Sequence, residues 1–232
     1  MSNIEQTPHG DSVLLDGYLV AFKKKVNCIC YAHESLFKIL VQDSLINSGE
    51  TNKKRSVNKW LTSSKNHRMV QFVELEDYIF ARLNDAPTSL RSKKLALNIK
   101  EKEKVQIVVN FPGVFEARTS KDQNGKEIFL PRKYLSNSEK LEYAKNILEC
   151  KGGVLLESIA LTENDNRTVH FRKRGKSISL LSYEVRVIAS VKDIKLFKNA
   201  FYNGLGKRKT WGFGMLRVEK LPSVDNTETK SV

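Results

Sequence analysis

Tyr202-Asn-Gly-Leu-Gly-Lys-Arg-Lys-Thr-Trp-Gly-Phe-Gly-Met215 sets four glycines around three consecutive cations, between a stretch patterned as a helix and one patterned as a strand. Gly204, Gly206, Gly212 and Gly214 permit positive φ and carry no Cβ to hold a neighbour off, while Lys207, Arg208 and Lys209 bring charge to the same place. Backbone built this way can touch phosphate, so polyanion binding is the first functional expectation. A tight connection needing glycine for geometry alone is the plainer reading, and the two are compatible. Upstream, Asp193 to Tyr202 reads as a helix stopped by Asn203-Gly204, and downstream Trp211 to Val218 reads as the strand that closes a sheet. In that strand Gly212 and Gly214 alternate with Trp211 and Phe213, leaving one face bare and giving the two aromatics a packing role on the other.

Working back along the chain, Thr168 to Arg172 and Ile178 to Ile188 flank Lys173-Arg-Gly-Lys176, a hairpin with a cationic tip. Ser138 to Leu148 is a helix capped by Ser136 or Asn137 and ended by Gly152-Gly153, with a strand resuming at Val154. Asn124-Gly125 turns Val114 to Arg118 into Glu127 to Leu130. In the first half, Leu15 to Lys24 reads as a strand and Tyr31 to Leu45 as a helix burying Leu36, Ile39 and Leu40. A polar loop over 47–67 follows, then β segments Met69 to Leu75 and Tyr78 to Leu83, a short amphipathic helix Thr88 to Leu97, and a strand Val105 to Val109. The order β-α-β-β-α-β is the ferredoxin-like split βαβ unit, and the second half repeats it with added hairpins. The expected class is α+β, two tandem ferredoxin-like (RRM-like) βαββαβ domains over 13–112 and 113–221, with polar, mobile tails at 1–12 and 222–232.

Forty Lys and Arg against 26 Asp and Glu give a net charge of +14, which favours nucleic acid or an anionic surface as partner. Apolar runs are all shorter than the roughly 18 residues a membrane span needs, and no apolar segment of signal-peptide type opens the chain, so a cytoplasmic protein without a membrane partner is expected. Cys28, Cys30 and Cys150 are too few for a thiolate zinc site and odd in number for a disulfide framework, so they read as reduced thiols, and neither metal nor cofactor is expected. An unrelated RRM-like ribonucleoprotein would carry an RNP1 block with exposed aromatics on a central strand, and the sequence has none.

The ending Gly204-Leu-Gly-Lys-Arg-Lys-Thr-Trp-Gly-Phe-Gly-Met-Leu-Arg217 resembles the glycine-rich loop of the CRISPR-associated repeat-processing endoribonucleases, CasE branch, in which G-x-G-x-x-K-x-x-G-x-G-L-L closes the second ferredoxin-like domain. Leu130-Pro-Arg-Lys-Tyr-Leu-Ser-Asn-Ser-Glu-Lys-Leu-Glu-Tyr143 is similar to the family's approach to the second domain's first helix, and Asn110-Phe-Pro112 to the end of its first domain. The likeness spans about residues 15 to 220, with the C-terminal loop as its specific part. The family's reactive histidine opens the first helix in a Tyr-x-x-His arrangement. Here Cys30-Tyr-Ala-His-Glu34 supplies His33, while Tyr31 stands two residues before it and Cys30 takes the usual tyrosine position.

The resemblance implies metal-independent RNA cleavage by the ribose 2′-hydroxyl, with His33 as base or acid and Tyr31 beside it. At a helix N-terminus the unpaired N–H groups favour the neutral imidazole, keeping a base available near neutral pH. The hairpin Arg167-Thr-Val-His-Phe-Arg-Lys-Arg-Gly-Lys176 would enter a repeat stem-loop, with Arg167, Arg172, Lys173, Arg174 and Lys176 on RNA, joined by Lys207, Arg208 and Lys209. Lys121, Lys126, Arg132 and Lys133, on the earlier hairpin and its exit, form a further cationic group that serves RNA or a solvated surface equally well. The implied partners are CRISPR repeat RNA, as precursor and as mature crRNA stem-loop, and other subunits of a Cascade-like complex, including the backbone subunit next to the crRNA 3′ end. A non-catalytic crRNA stem-loop-binding subunit is the competing class, supported by the displaced tyrosine.

Overall fold

The computed structural model describes residues 12–24, 36, 70–75, 77–84, 90–113, 119–121, 123–125, 127–129, 134–163, 167–173, 176–209 and 212–222. The first sheet contains β1 (Ser12–Lys23), β2 (Val70–Glu74), β3 (Tyr78–Leu83) and β4 (Lys93–Lys100) in the spatial order β2-β3-β1-β4, all antiparallel. This is the ferredoxin-like order, fourth-first-third-second. The helix expected over 31–45 lies outside the described residues except for Leu36, which is helical and fully buried as the sequence pattern requires.

The helix expected at Thr88 to Leu97 is corrected: Lys93–Lys100 is a strand, registering Leu15 against Leu97 and Val13 against Ile99. Its Lys, Leu and Ala content suits a helix, but the side chains follow period two, with Leu95, Leu97 and Ile99 turned inward and Lys94, Ala96 and Asn98 exposed. Pairing with β1 buries that alternating set, and tertiary contact overrides local propensity.

A second sheet holds β5 (Lys104–Pro112), β8 (Val154–Leu161), β10 (Lys176–Val191) and β11 (Arg217–Lys220), in the order β11-β5-β10-β8. Counting β5 as first, this again reads fourth-first-third-second. β5, read from sequence as the closing strand of the first half, instead opens the second: Tyr183 pairs with Phe111 and Val187 with Ile107. Helices α1 (Asn137–Lys151) and α2 (Ile194–Asn203) complete the repeat. Ser136 caps α1 in a reciprocal box with Glu139, and Asp193 caps α2 by accepting from the Lys195 and Leu196 amides. A short hairpin pairs β6 (Thr119–Lys121) with β7 (Glu127–Phe129) around a turn in which Gly125 has φ +79°, while the expected Val114 to Arg118 strand lies outside the described residues.

The main core joins the two sheets. Val105, Ile107, Val109, Phe111, Val185, Val187, Ala144, Leu148, Phe197 and Phe201 are buried together with Leu15 and Ile99 of the first sheet. Phe111 stands edge-on to Tyr143, with ring centroids 5.6 Å apart, and no helix among the described residues is long and apolar enough to cross a membrane.

Candidate nucleic-acid interface

The cationic hairpin is an arm that leaves the second sheet. Among the described residues β9 (Arg167–Lys173) pairs with the first half of β10, from Ser182↔Arg167 at the root to Lys176↔Lys173 beside the tip, with Ser177 opposite Arg172. At the root, Val169, Leu180 and Phe213 form a small buried cluster with Ile178 against it, which ties the arm to the glycine-rich loop. His170 Nδ1 shares a 2.9 Å hydrogen bond with Ser179 Oγ across the arm. Arg172, Lys173 and Lys176 therefore stand in register near the tip, while Arg174 lies outside the described residues. Arg167 points the other way, donating Nη1 to the Glu74 carbonyl on β2 at 3.0 Å.

The glycine-rich loop leaves α2 and runs to β11. All four glycines have positive φ, between +69° and +87°, and each gap is filled by the protein itself. A Cβ on Gly214 would stand 1.9 Å from the Leu205 carbonyl oxygen, one on Gly212 2.8 Å from the Phe72 ring, and one on Gly206 3.3 Å from Phe111 and the Tyr143 hydroxyl. The expected strand Trp211 to Val218 is accordingly shortened to Arg217–Lys220, because positive φ at Gly212 and Gly214 excludes the extended conformation. Phe213 packs in the core, as its alternation suggested, and Trp211 lies outside the described residues.

Two stretches that carried the resemblance meet here. The Gly214 amide donates to the Asn110 carbonyl at 2.8 Å, and Arg217 Nη2 donates to Asn110 Oδ1 at 3.1 Å and to Glu184, which also accepts from Thr162 Oγ1. Lys207 is exposed, whereas Arg208 and Lys209 are half-buried, Arg208 with φ +62°. Burial lowers the Lys209 pKa, and the nearby Lys151 ammonium lowers it further. A half-buried ammonium beside another cation is a place where an anion relieves two costs at once.

Buried charge also lines the junction between the units. Arg82 of β3 is 3% exposed and donates to the Leu216 carbonyl at 3.0 Å, to Gln71 Oε1 and to the Phe201 carbonyl. Burial lowers its pKa to about 9, so the guanidinium is charged at neutral pH. Glu74, also 3% exposed, pairs with Lys24 at 2.9 Å. Neither was singled out from sequence; the available signal was an ionisable residue inside Phe72-Val-Glu-Leu75 and Phe80-Ala-Arg-Leu83, strands otherwise apolar. His33, Tyr31, Arg132 and Lys133 lie outside the described residues.

A family model described as CRISPR associated protein matches residues 50–220. Among solved structures, the CRISPR-associated protein Cas6e from Escherichia coli str. K-12 superposes with a TM-score of 0.57 at 12% identity, over 90% of this chain and 100% of that one. CRISPR endoribonuclease Cse3 bound to 19 nt RNA gives 0.54 at 14%, over 88% and 98%, and a chain of a CRISPR RNA-guided surveillance complex gives 0.51 at 13%, over 88% and 100%. No curated protein sequence matches. The two fourth-first-third-second sheets are thus a shared fold, and the match over 50–220 shows that the chain belongs to the CRISPR associated protein family.

Proposed function

We propose that the chain is a metal-independent endoribonuclease that binds the repeat stem-loop of precursor crRNA and cuts once at the 3′ base of the hairpin. It then stays on its product as a cytoplasmic subunit of a Cascade-like complex, beside the backbone subunit at the crRNA 3′ end. The observation that carries this reading is the β9–β10 arm with Arg172, Lys173 and Lys176 in register near its tip, in a chain of this family. A narrow cationic ribbon suits the deep, phosphate-lined groove of A-form RNA. The named functions of the solved relatives, an endoribonuclease on RNA and an RNA-guided complex, support the same assignment.

In the proposed reaction the 2′-hydroxyl upstream of the scissile bond loses its proton and its oxygen bonds to phosphorus as the P–O5′ bond breaks. The departing 5′-oxygen takes a proton, so the ends are a 2′,3′-cyclic phosphate and a 5′-hydroxyl, and no water is consumed. His33, with Tyr31 beside it, moves one of these protons, and nearby cations stabilise the phosphorane. Lys207, Arg208, Lys209, Arg132, Lys133 and Arg174 extend the RNA contact, while Arg167 braces the root of the arm.

The test is cleavage of a labelled repeat stem-loop from the same genome in EDTA, comparing the native chain with His33→Ala. One cut leaving a cyclic phosphate, lost in the variant while binding persists, supports the reading. Binding with no cut by the native chain supports the non-catalytic stem-loop subunit, which the Cys30 departure favours.

A further inference from the structure

At the root of the arm a carboxylate is buried with its bonds incomplete. Glu74 Oε1 accepts from Lys24 Nζ at 2.9 Å, and Oε2, fully enclosed, has no hydrogen-bond partner among the described residues. Lys24 Nζ also donates to the Leu75 carbonyl at 3.3 Å, and its backbone amide donates to Asp77 in the β2–β3 turn at 2.7 Å. From the second unit, Arg167 donates to the Glu74 carbonyl, and Lys24, His170 and Arg167 all lower the pKa of the carboxylate.

A half-satisfied buried ion pair is poor value for folding, since desolvation cancels much of the Coulombic gain. Burial raises the Glu74 pKa despite the opposing influence of Lys24, His170 and Arg167, so the net electrostatic effect of ionising this group in the folded chain is a cost. An amide of the same shape would carry no such cost. What the residue does provide is a bridge: through side chain and backbone it holds the end of β1, the strand that precedes Tyr31 and His33 in sequence, and the first residue of β9. We propose that Glu74 is a positioning residue for RNA: its carboxylate holds the end of β1 through Lys24 next to the backbone carbonyl that takes Arg167 at the root of the arm, and so sets the angle at which the arm meets a stem. This rests on the stem-loop-binding function proposed above and names the contact that aligns its two halves.

The experiment measures affinity for a non-cleavable stem-loop carrying a 2′-deoxyribose at the cut site, and melting temperature, for the native chain, Glu74→Gln, Lys24→Met and the double variant. The expected result is a loss of about tenfold in affinity for Glu74→Gln, close to 1.4 kcal/mol, with a melting temperature equal to or above native. The double variant binds no more weakly than the weaker single, because each change alone already abolishes the Lys24–Glu74 ion pair. Unchanged affinity in Glu74→Gln, additive losses in the double variant, or a lowered melting temperature would each overturn the proposal, the last by making the role structural. A native chain that binds the unmodified stem-loop without cutting it sinks the endoribonuclease reading alone, and the affinities still decide the role of Glu74.

Discussion

The Arg82 guanidinium carbon lies 3.5 Å from the centre of the Phe201 ring, so a cation on the first sheet is stacked on the last helix of the second unit. The same guanidinium donates to the carbonyls of Phe201 and Leu216, two residues that bracket the glycine-rich loop. Arg82 thereby fixes both ends of that loop to β3. Arg82→Ala leaves the carbonyls without their donor and strips the ring of its cation, with an expected loss of about 3 kcal/mol in denaturant unfolding. Arg82→Lys keeps the charge without the planar fork and recovers less than half of the loss.

Glu74 makes stability depend on pH in a predictable direction. Its folded-state pKa is raised by burial above 4.5, so the folded chain binds the proton more tightly than the unfolded one. The associated stability is fully present below pH 4.5 and is lost as pH rises through the folded value. Glu74→Gln removes the titration, so its unfolding free energy gains on native as pH climbs from 4.5 to neutrality. Urea titrations at a series of pH values measure this, and a gap that stays constant or narrows refutes it.

The glycines of the C-terminal loop divide from Gly125 by what a methyl group would meet. Gly125→Ala has nothing within 4 Å and suffers only its φ of +79°, for a cost of about 1 kcal/mol. Gly214→Ala meets the Leu205 carbonyl oxygen at 1.9 Å in addition to φ +76°, and the chain is expected to lose soluble expression or melt at much lower temperature. Gly212→Ala, pressed on the Phe72 ring, falls between the two. Melting curves of the three variants check the order.

Much of this architecture was legible because burial leaves a simple periodic mark. β10 alternates Tyr183, Val185, Val187 and Ala189 inward, Ser136, one of two cap candidates in the sequence, announces α1, and Asn203-Gly204 ends α2. β4 was misread because Lys93-Lys-Leu-Ala-Leu-Asn-Ile-Lys100 satisfies helix propensity and strand alternation together, and only its partner β1 decides. The glycine motif stands out in the sequence, yet the demand for glycine comes from Leu205, Phe72, Phe111 and Gly214, distant or returning parts of the chain that no local pattern encodes. Arg82 and Glu74 were missed for the same reason: a buried charge is recognised by what encloses it, and their partners lie across the fold at Phe201, Leu216, Lys24 and Arg167.

The arm gives the sharpest electrostatic expectation. If Arg172 and Lys173, in register near the tip of β9, each neutralise a phosphate, replacing either by Gln removes one released counterion. The slope of log affinity against log salt then becomes shallower by about 0.7 to 0.9 per variant, and the double change by about twice that. Lys93→Gln, on the exposed edge strand of the first sheet, serves as the matched loss of one charge and leaves the slope at its native value. Affinities for the stem-loop between low and moderate salt decide the matter. Equal slopes for all three variants would mean that the arm contributes only to the general positive field, while a change confined to Arg172 and Lys173 would assign the phosphate contacts to the arm itself.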